Sequence, residues 1–123
     1  MPVRPLRISS YTLCSAAGEG RERTLEALRD RRSGLRPNDF GANPLPTWIG
    51  RVPDLEHQPL PEPYAQWDCR NNRLAWRGLI CDGFRDAVLQ ARDRHGAQRV
   101  AVVVGTSTSS IGASEEAYCR LEA

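Results

Sequence analysis

The sequence predicts a mixed α/β fold, on three observations. Val100 to Val104 form a β-branched run interrupted only by Ala101. Apolar on both faces, such a run suits a strand covered by helices above and below, as in a parallel sheet. Gly105 ends it, small hydroxyl residues follow, and Glu115 and Glu116 stand where a helix N-terminus favours negative charge. Two earlier stretches, about residues 19–33 and 71–95, carry apolar positions at helical spacing and run up to a glycine. In open α/β sheets ligands gather at the carboxyl ends of strands, so the exit of the valine run is the place to look for function.

A chain of 123 residues is long enough for one domain with a core and too short for two. Net charge is +2, and all 17 basic residues are arginine. The absence of lysine removes Schiff-base chemistry and lysine general bases from this chain. Basic and acidic residues alternate along the helical stretches, so no nucleic-acid partner is expected. No apolar run approaches the ~20 residues of a membrane span, and the N-terminus lacks the apolar core of a signal peptide. A cytoplasmic protein with no membrane span is the expectation. Cys14, Cys69, Cys81 and Cys119 show no CxxC spacing, and His57 and His95 do not join them in a ligand pattern. Four reduced, mostly packed thiols and no metal site are expected.

In chain order, residues 6–13 read as a first strand that leaves through Cys14-Ser15-Ala16-Ala17-Gly18. Residues 19–33 form a helix on the narrow face of Leu25 and Leu28, with Arg29, Arg31 and Arg32 in its last turn, Gly34 as the C′ residue and Leu35 as its hydrophobic contact. Residues 36–70 are a proline-rich excursion, in which Thr47 to Val52 form a short edge strand and Phe40, Trp48, Tyr64 and Trp67 serve as anchors. A connection of this length packs on something, with a partner subunit as one option. Asp68, Asn71 and Asn72 cap a long helix over 71–95 that stops at Gly96, with Leu74, Gly78, Cys81, Val88 and Ala91 along one side. Gly78 and Gly83 inside it each cost about 1 kcal/mol relative to alanine, which makes sense where another backbone approaches closely. A buried strand over 99–105 and a helix from about 110 complete the chain. That last helix has no stop signal, so the chain reads as part of something longer.

The order of these motifs resembles the N-terminal portion of a β-ketoacyl-acyl-carrier-protein synthase. The resemblance is carried by the first strand with its small-residue turn, the helix ending Ser33-Gly34-Leu35, and the Trp48-Ile49-Gly50-Arg51-Val52 strand. It continues through the helix beginning Arg70-Asn71-Asn72 and the valine run with its Gly105-Thr106-Ser107-Thr108-Ser109 turn. It implies a partial thiolase-like fold, the N-terminal part of a layered αβαβα architecture. The implied parent is an acyltransferase of fatty-acid or polyketide biosynthesis, working as a homo- or heterodimer on acyl thioesters and acyl carrier protein. Where the family often has glycines, this chain has Ser10-Tyr11-Thr12 and Ser107-Thr108-Ser109-Ser110, which is closer to synthases of polyene-type pathways.

The family's nucleophilic cysteine and two histidines are expected downstream of residue 123, and none of the cysteines or histidines here matches their motifs. The resemblance therefore implies no catalytic residue in this chain. It implies an acyl-pocket wall at Thr106, Thr108 and Ile111; the alternative for these residues is that they cap a helix and bond the backbone. The same turn lacks a P-loop ending and a GxGxxG fingerprint, so no cofactor is expected. Glu115 and Glu116 point about 100° apart on a helix and do not form an acid/base pair. Two other readings stay open: a non-catalytic ketosynthase-like partner of the chain-length-factor type, and a free-standing α/β ligand-binding or interaction domain.

Overall fold

The computed structural model describes residues 5–41, 43–106 and 111–121. It contains helices and small antiparallel sheets. Strands β1 (Cys14–Ser15) and β2 (Gly18–Glu19) form a tight hairpin, pairing Cys14 with Glu19 and Ser15 with Gly18. Helix α1 (Arg21–Arg29) follows at once. Strands β3 (Leu35–Pro37) and β4 (Trp48–Gly50) form a second antiparallel pair, matching Leu35 to Gly50 and Pro37 to Trp48. Two 3₁₀ turns, Leu55–His57 and Glu62–Trp67, lead to α2 (Arg70–Ile80), α3 (Phe84–His95) and α4 (Ile111–Leu121).

The parallel sheet expected around the valine run is absent among the described residues: both sheets are two-stranded and antiparallel. Residues 100–106 belong to no strand, and Val102, Val103 and Val104 are 81%, 94% and 80% exposed. The expected buried strand 99–105 is therefore corrected to an exposed segment that starts in extended geometry, with φ −113° and ψ 118° at Val100. The reason is pairing. A β-branched run becomes a buried strand only when neighbours take up its amides and carbonyls and helices cover its faces, and the described residues supply neither. The first strand expected over 6–13 is corrected too: none of those residues lies in a strand, pairing begins only at Cys14 in the expected exit, and Leu6 and Ile8 are exposed.

Helix α1 also ends earlier than its sequence suggests. Its last helical residue is Arg29, and Arg31, at φ 51°, takes the left-handed position. Arg31 N–H donates to Leu28 O (3.2 Å) and Arg32 N–H to Ala27 O (2.8 Å), the paired bonds of a Schellman ending. Gly34 is thus not the C′ residue. Its φ is not positive, and its smallness serves close approach: a Cβ there would lie 2.5 Å from Ala16 C and O.

The helix expected over 71–95 is two helices, broken at Cys81–Gly83 where Asp82 (φ 58°) and Gly83 (φ 67°) are both left-handed. Gly83 thus serves the bend, while Gly78 faces Cys14. Along α2, Leu74 and Gly78 are half-buried, but Ala75, Leu79 and Ile80 are exposed, so the apolar face is narrower than its sequence implies. The buried residue on α2 is Arg77. Asp68 and Asn72 do not cap α2: Asp68 Oδ1 accepts from Leu60 N–H (3.0 Å) and Arg73 Nε (2.8 Å), and Asn72 Nδ2 donates to Trp67 O (2.8 Å).

Among the described residues the buried apolar side chains are Ala27, Val52 and the fully buried Leu55. Arg73 and Arg77, one helical turn apart on α2, tie the proline-rich segment to it. Arg73 donates to Glu56 O (2.6 Å), and Arg77 donates to Pro53 O and to Gln58 Oε1 (2.6 Å). Among the anchors, Tyr64 packs against Trp67 and Trp76 with centroids 6.4 and 5.3 Å apart, and Phe40 lies under the guanidinium groups of Arg51 and Arg70. No helix of the described residues is long and apolar enough to cross a membrane.

Candidate functional site

A recess lies where the β1–β2 hairpin meets α1 and α2. A cleft of about 370 Å³ is bordered by Ala17, Glu19, Arg23, Arg32, Asp54 and Arg77. A second depression, about 430 Å³, opens on the other side of Glu19, reaching Gly20, Cys81 and Asp82. Glu19 is therefore the residue around which the region is arranged.

The hairpin presents Glu19 because a two-residue turn, Ala16-Ala17, sets the register that pairs it with Cys14. From α2, Arg77 brings its guanidinium to within 3.6 Å of Glu19 Oε2. From the α2–α3 break, Cys81 Sγ lies 3.8 Å from Glu19 Oε1. Asp82, turned inward by its left-handed backbone, reaches the first turn of α1: Arg21 N–H donates to Oδ1 (3.1 Å) and Oδ2 (3.0 Å). A carboxylate at a helix N-terminus satisfies open amides and faces the positive end of the dipole. Thr12 Oγ1 lies 3.0 Å from Gly78 O and 3.1 Å from Asp82 Oδ2, so its single proton serves one or the other.

These contacts set the protonation of the region. The Arg21 amide holds the Asp82 carboxyl below its usual range, with help from Thr12 and the Arg21 charge. Burial pushes the Cys81 thiol up to about 11, reinforced by the negative charges of Glu19 and Asp82. Cys14 is raised too, first by burial and then by Glu19, against the opposing charge of Arg77. Both thiols stay protonated near neutrality, so neither is poised as a nucleophile. Among the described residues no group of three or more His, Cys, Asp or Glu is placed to hold a metal ion. The recess offers a buried cation, carboxylates and a tight hairpin turn, which is equipment for holding a polar group.

The residues expected to wall an acyl pocket are not brought to this recess. Thr106 is exposed at the end of the valine segment, and Ile111, the first residue of α4, is 50% exposed. Thr108 lies outside the described residues. Sequence reasoning missed the cluster of Glu19, Arg77 and Asp82, since its partners lie some sixty positions apart. One signal was present: Asp82-Gly83 is a turn dipeptide inside an otherwise helical pattern. No family model, curated protein or solved structure matches the chain.

Proposed function

We propose that this chain forms the N-terminal part of a β-ketoacyl-acyl-carrier-protein synthase, contributing scaffold and pocket wall, with the reacting groups in further polypeptide. In that reaction a cysteine thiolate takes the acyl group from its thioester. Decarboxylation of a malonyl thioester then yields the carbanion that attacks the acyl carbonyl, while histidines stabilise the developing charge. The order of sequence motifs from the first-strand stretch to the Gly105-Thr106 turn supports the reading.

That order of motifs carries the reading, and its hardest condition is at residues 102–104, which it requires to be buried in the whole protein. Three consecutive valines stand 80–94% exposed. Soluble proteins rarely leave such contiguous apolar surface uncovered. Strands beside the valine segment and helices over it would convert it into the central strand its composition fits, with Thr106 and Ile111 at that strand's exit. The same exposure weighs against a free-standing binding domain.

The test is the reading frame beyond residue 123 and the activity of its product. The proposal expects a cysteine among small residues at a strand-to-helix turn, two downstream histidines, and a purified product that forms β-ketoacyl carrier protein from acyl and malonyl thioesters. Histidines without the cysteine, and no condensation, would identify the non-catalytic partner instead. A frame closing at Ala123 on a monomer with a single cooperative unfolding transition refutes both.

A further inference from the structure

Cys14 and Cys81 come from different elements and converge on one residue. Cys14 sits in β1, paired across the hairpin with Glu19. Cys81 opens the α2–α3 break, its sulfur 3.8 Å from Glu19 Oε1. Both are half-buried. The backbones are close as well: a Cβ on Gly78, one turn before Cys81, would stand 4.0 Å from Cys14 Cβ, and Thr12 Oγ1 is 3.0 Å from Gly78 O. No side chain from Gly78 separates hairpin and helix. Cys81 follows Gly78 by three residues, one helical turn on, which brings it to the same side of the hairpin as Cys14. By contrast, Cys69 stands at the start of α2 and Cys119 is exposed on α4.

We propose that Cys14 and Cys81 form an oxidisable dithiol, a modification site at which a peroxide closes a disulfide that staples β1 to the α2–α3 break. The thiolate of one cysteine attacks a peroxide oxygen, breaking the O–O bond and giving a sulfenic acid and, for hydrogen peroxide, one water. The sulfur of the second cysteine then displaces the sulfenic oxygen, which leaves as a second water with the remaining thiol proton. The sulfur pair loses two electrons and the peroxide gains them. The charged groups facing the pair are Glu19, Asp82 and Arg77; burial first keeps both thiols protonated, with Glu19 adding to it at both and Asp82 at Cys81, against Arg77 at Cys14. The staple therefore forms slowly at neutral pH and faster as pH rises, unlike a low-pKa sensor thiol.

The full chain, reduced and freed of reductant, is treated with one equivalent of hydrogen peroxide; free thiols are alkylated, and unreduced peptides are mapped by mass. The expected result is a Cys14–Cys81 linked peptide pair, lighter by about 2 Da than the sum of its thiols, reversed by dithiothreitol, with Cys69 and Cys119 alkylated. Its yield at fixed time rises between neutral and mildly alkaline pH, and Cys14→Ser and Cys81→Ser each abolish it. Run in urea, the same oxidation loses its preference for this pair. Persistent alkylation of either cysteine overturns the proposal, as does sulfinic acid without a cross-link. Pairing with Cys69 or Cys119, or equal selectivity in urea, also overturns it.

Discussion

Arg31→Gly and Gly34→Ala test where helix α1 ends. Arg31 holds φ 51°, a left-handed conformation that costs an L-residue about 1–2 kcal/mol. Glycine removes that cost and returns about 0.5–1 kcal/mol through its more flexible unfolded state. The net expectation for Arg31→Gly is a gain of about 0–1.5 kcal/mol. Gly34→Ala meets a different obstacle. Its new Cβ would lie 2.5 Å from Ala16 C and O and 2.6 Å from Ala17 N, against an ordinary carbon contact of about 3.5–4.0 Å. Backbone has to move by roughly 1 Å to relieve the clash, which places the cost at or above the ~1–3 kcal/mol typical of overpacking. Thermal unfolding followed by far-ultraviolet circular dichroism reads both, at roughly 4 °C per kcal/mol for a chain of this size. A helix running to Ser33 predicts the opposite sign at Arg31, since glycine inside a helix costs about 1 kcal/mol. Arg31→Gly destabilising by about 0.5 kcal/mol or more refutes the Schellman ending.

Leu55→Ala removes the fully buried side chain of a small core and is expected to cost about 2–5 kcal/mol in urea unfolding; a change below about 1 kcal/mol contradicts the assigned burial. Val103→Ser, at a residue 94% exposed, is expected to shift stability by less than about 0.5 kcal/mol, whereas a buried valine would cost several times that. The Arg73 side chain, the Leu60 amide and the Arg73 charge hold Asp68 down to about 2, from 3.8. A depressed carboxyl stabilises the fold above its unfolded pKa, and that contribution drains away as pH falls from about 4 through 2. A carboxyl titration by NMR is expected to show a midpoint near 2 in the wild type and a higher one, still below the model-peptide value, in Arg73→Gln, where the Leu60 amide still donates. Equal midpoints would remove the pairing.

Local chemistry made several features legible. Stop signals placed the end of α3 at Gly96, where Gly96 N–H bonds Arg92 O (2.8 Å) at φ 84°, because a glycine after a periodic run is a backbone requirement of its own neighbourhood. The short strand Trp48–Gly50 inside the proline-rich stretch was readable too, from a short β-prone run between prolines. The break in the long helix was half legible: Asp82-Gly83 carries a turn signal, but apolar positions continue at helical spacing on both sides.

What the amino-acid sequence determined by itself was where helices and turns are permitted, since propensity, caps and left-handed positions depend on a few adjacent residues. It also determined the strand character of Val100–Val104, a matter of side-chain shape. Whether that character becomes a buried strand depends on partners, and the tertiary structure leaves the segment exposed. Only the tertiary structure decided that Gly34 yields to the Ala16-Ala17 turn, that Arg77 is buried to hold the proline-rich segment, and that Asp82 serves α1. Each is a contact between residues far apart in the chain, and periodicity carries no record of which distant backbone will come near.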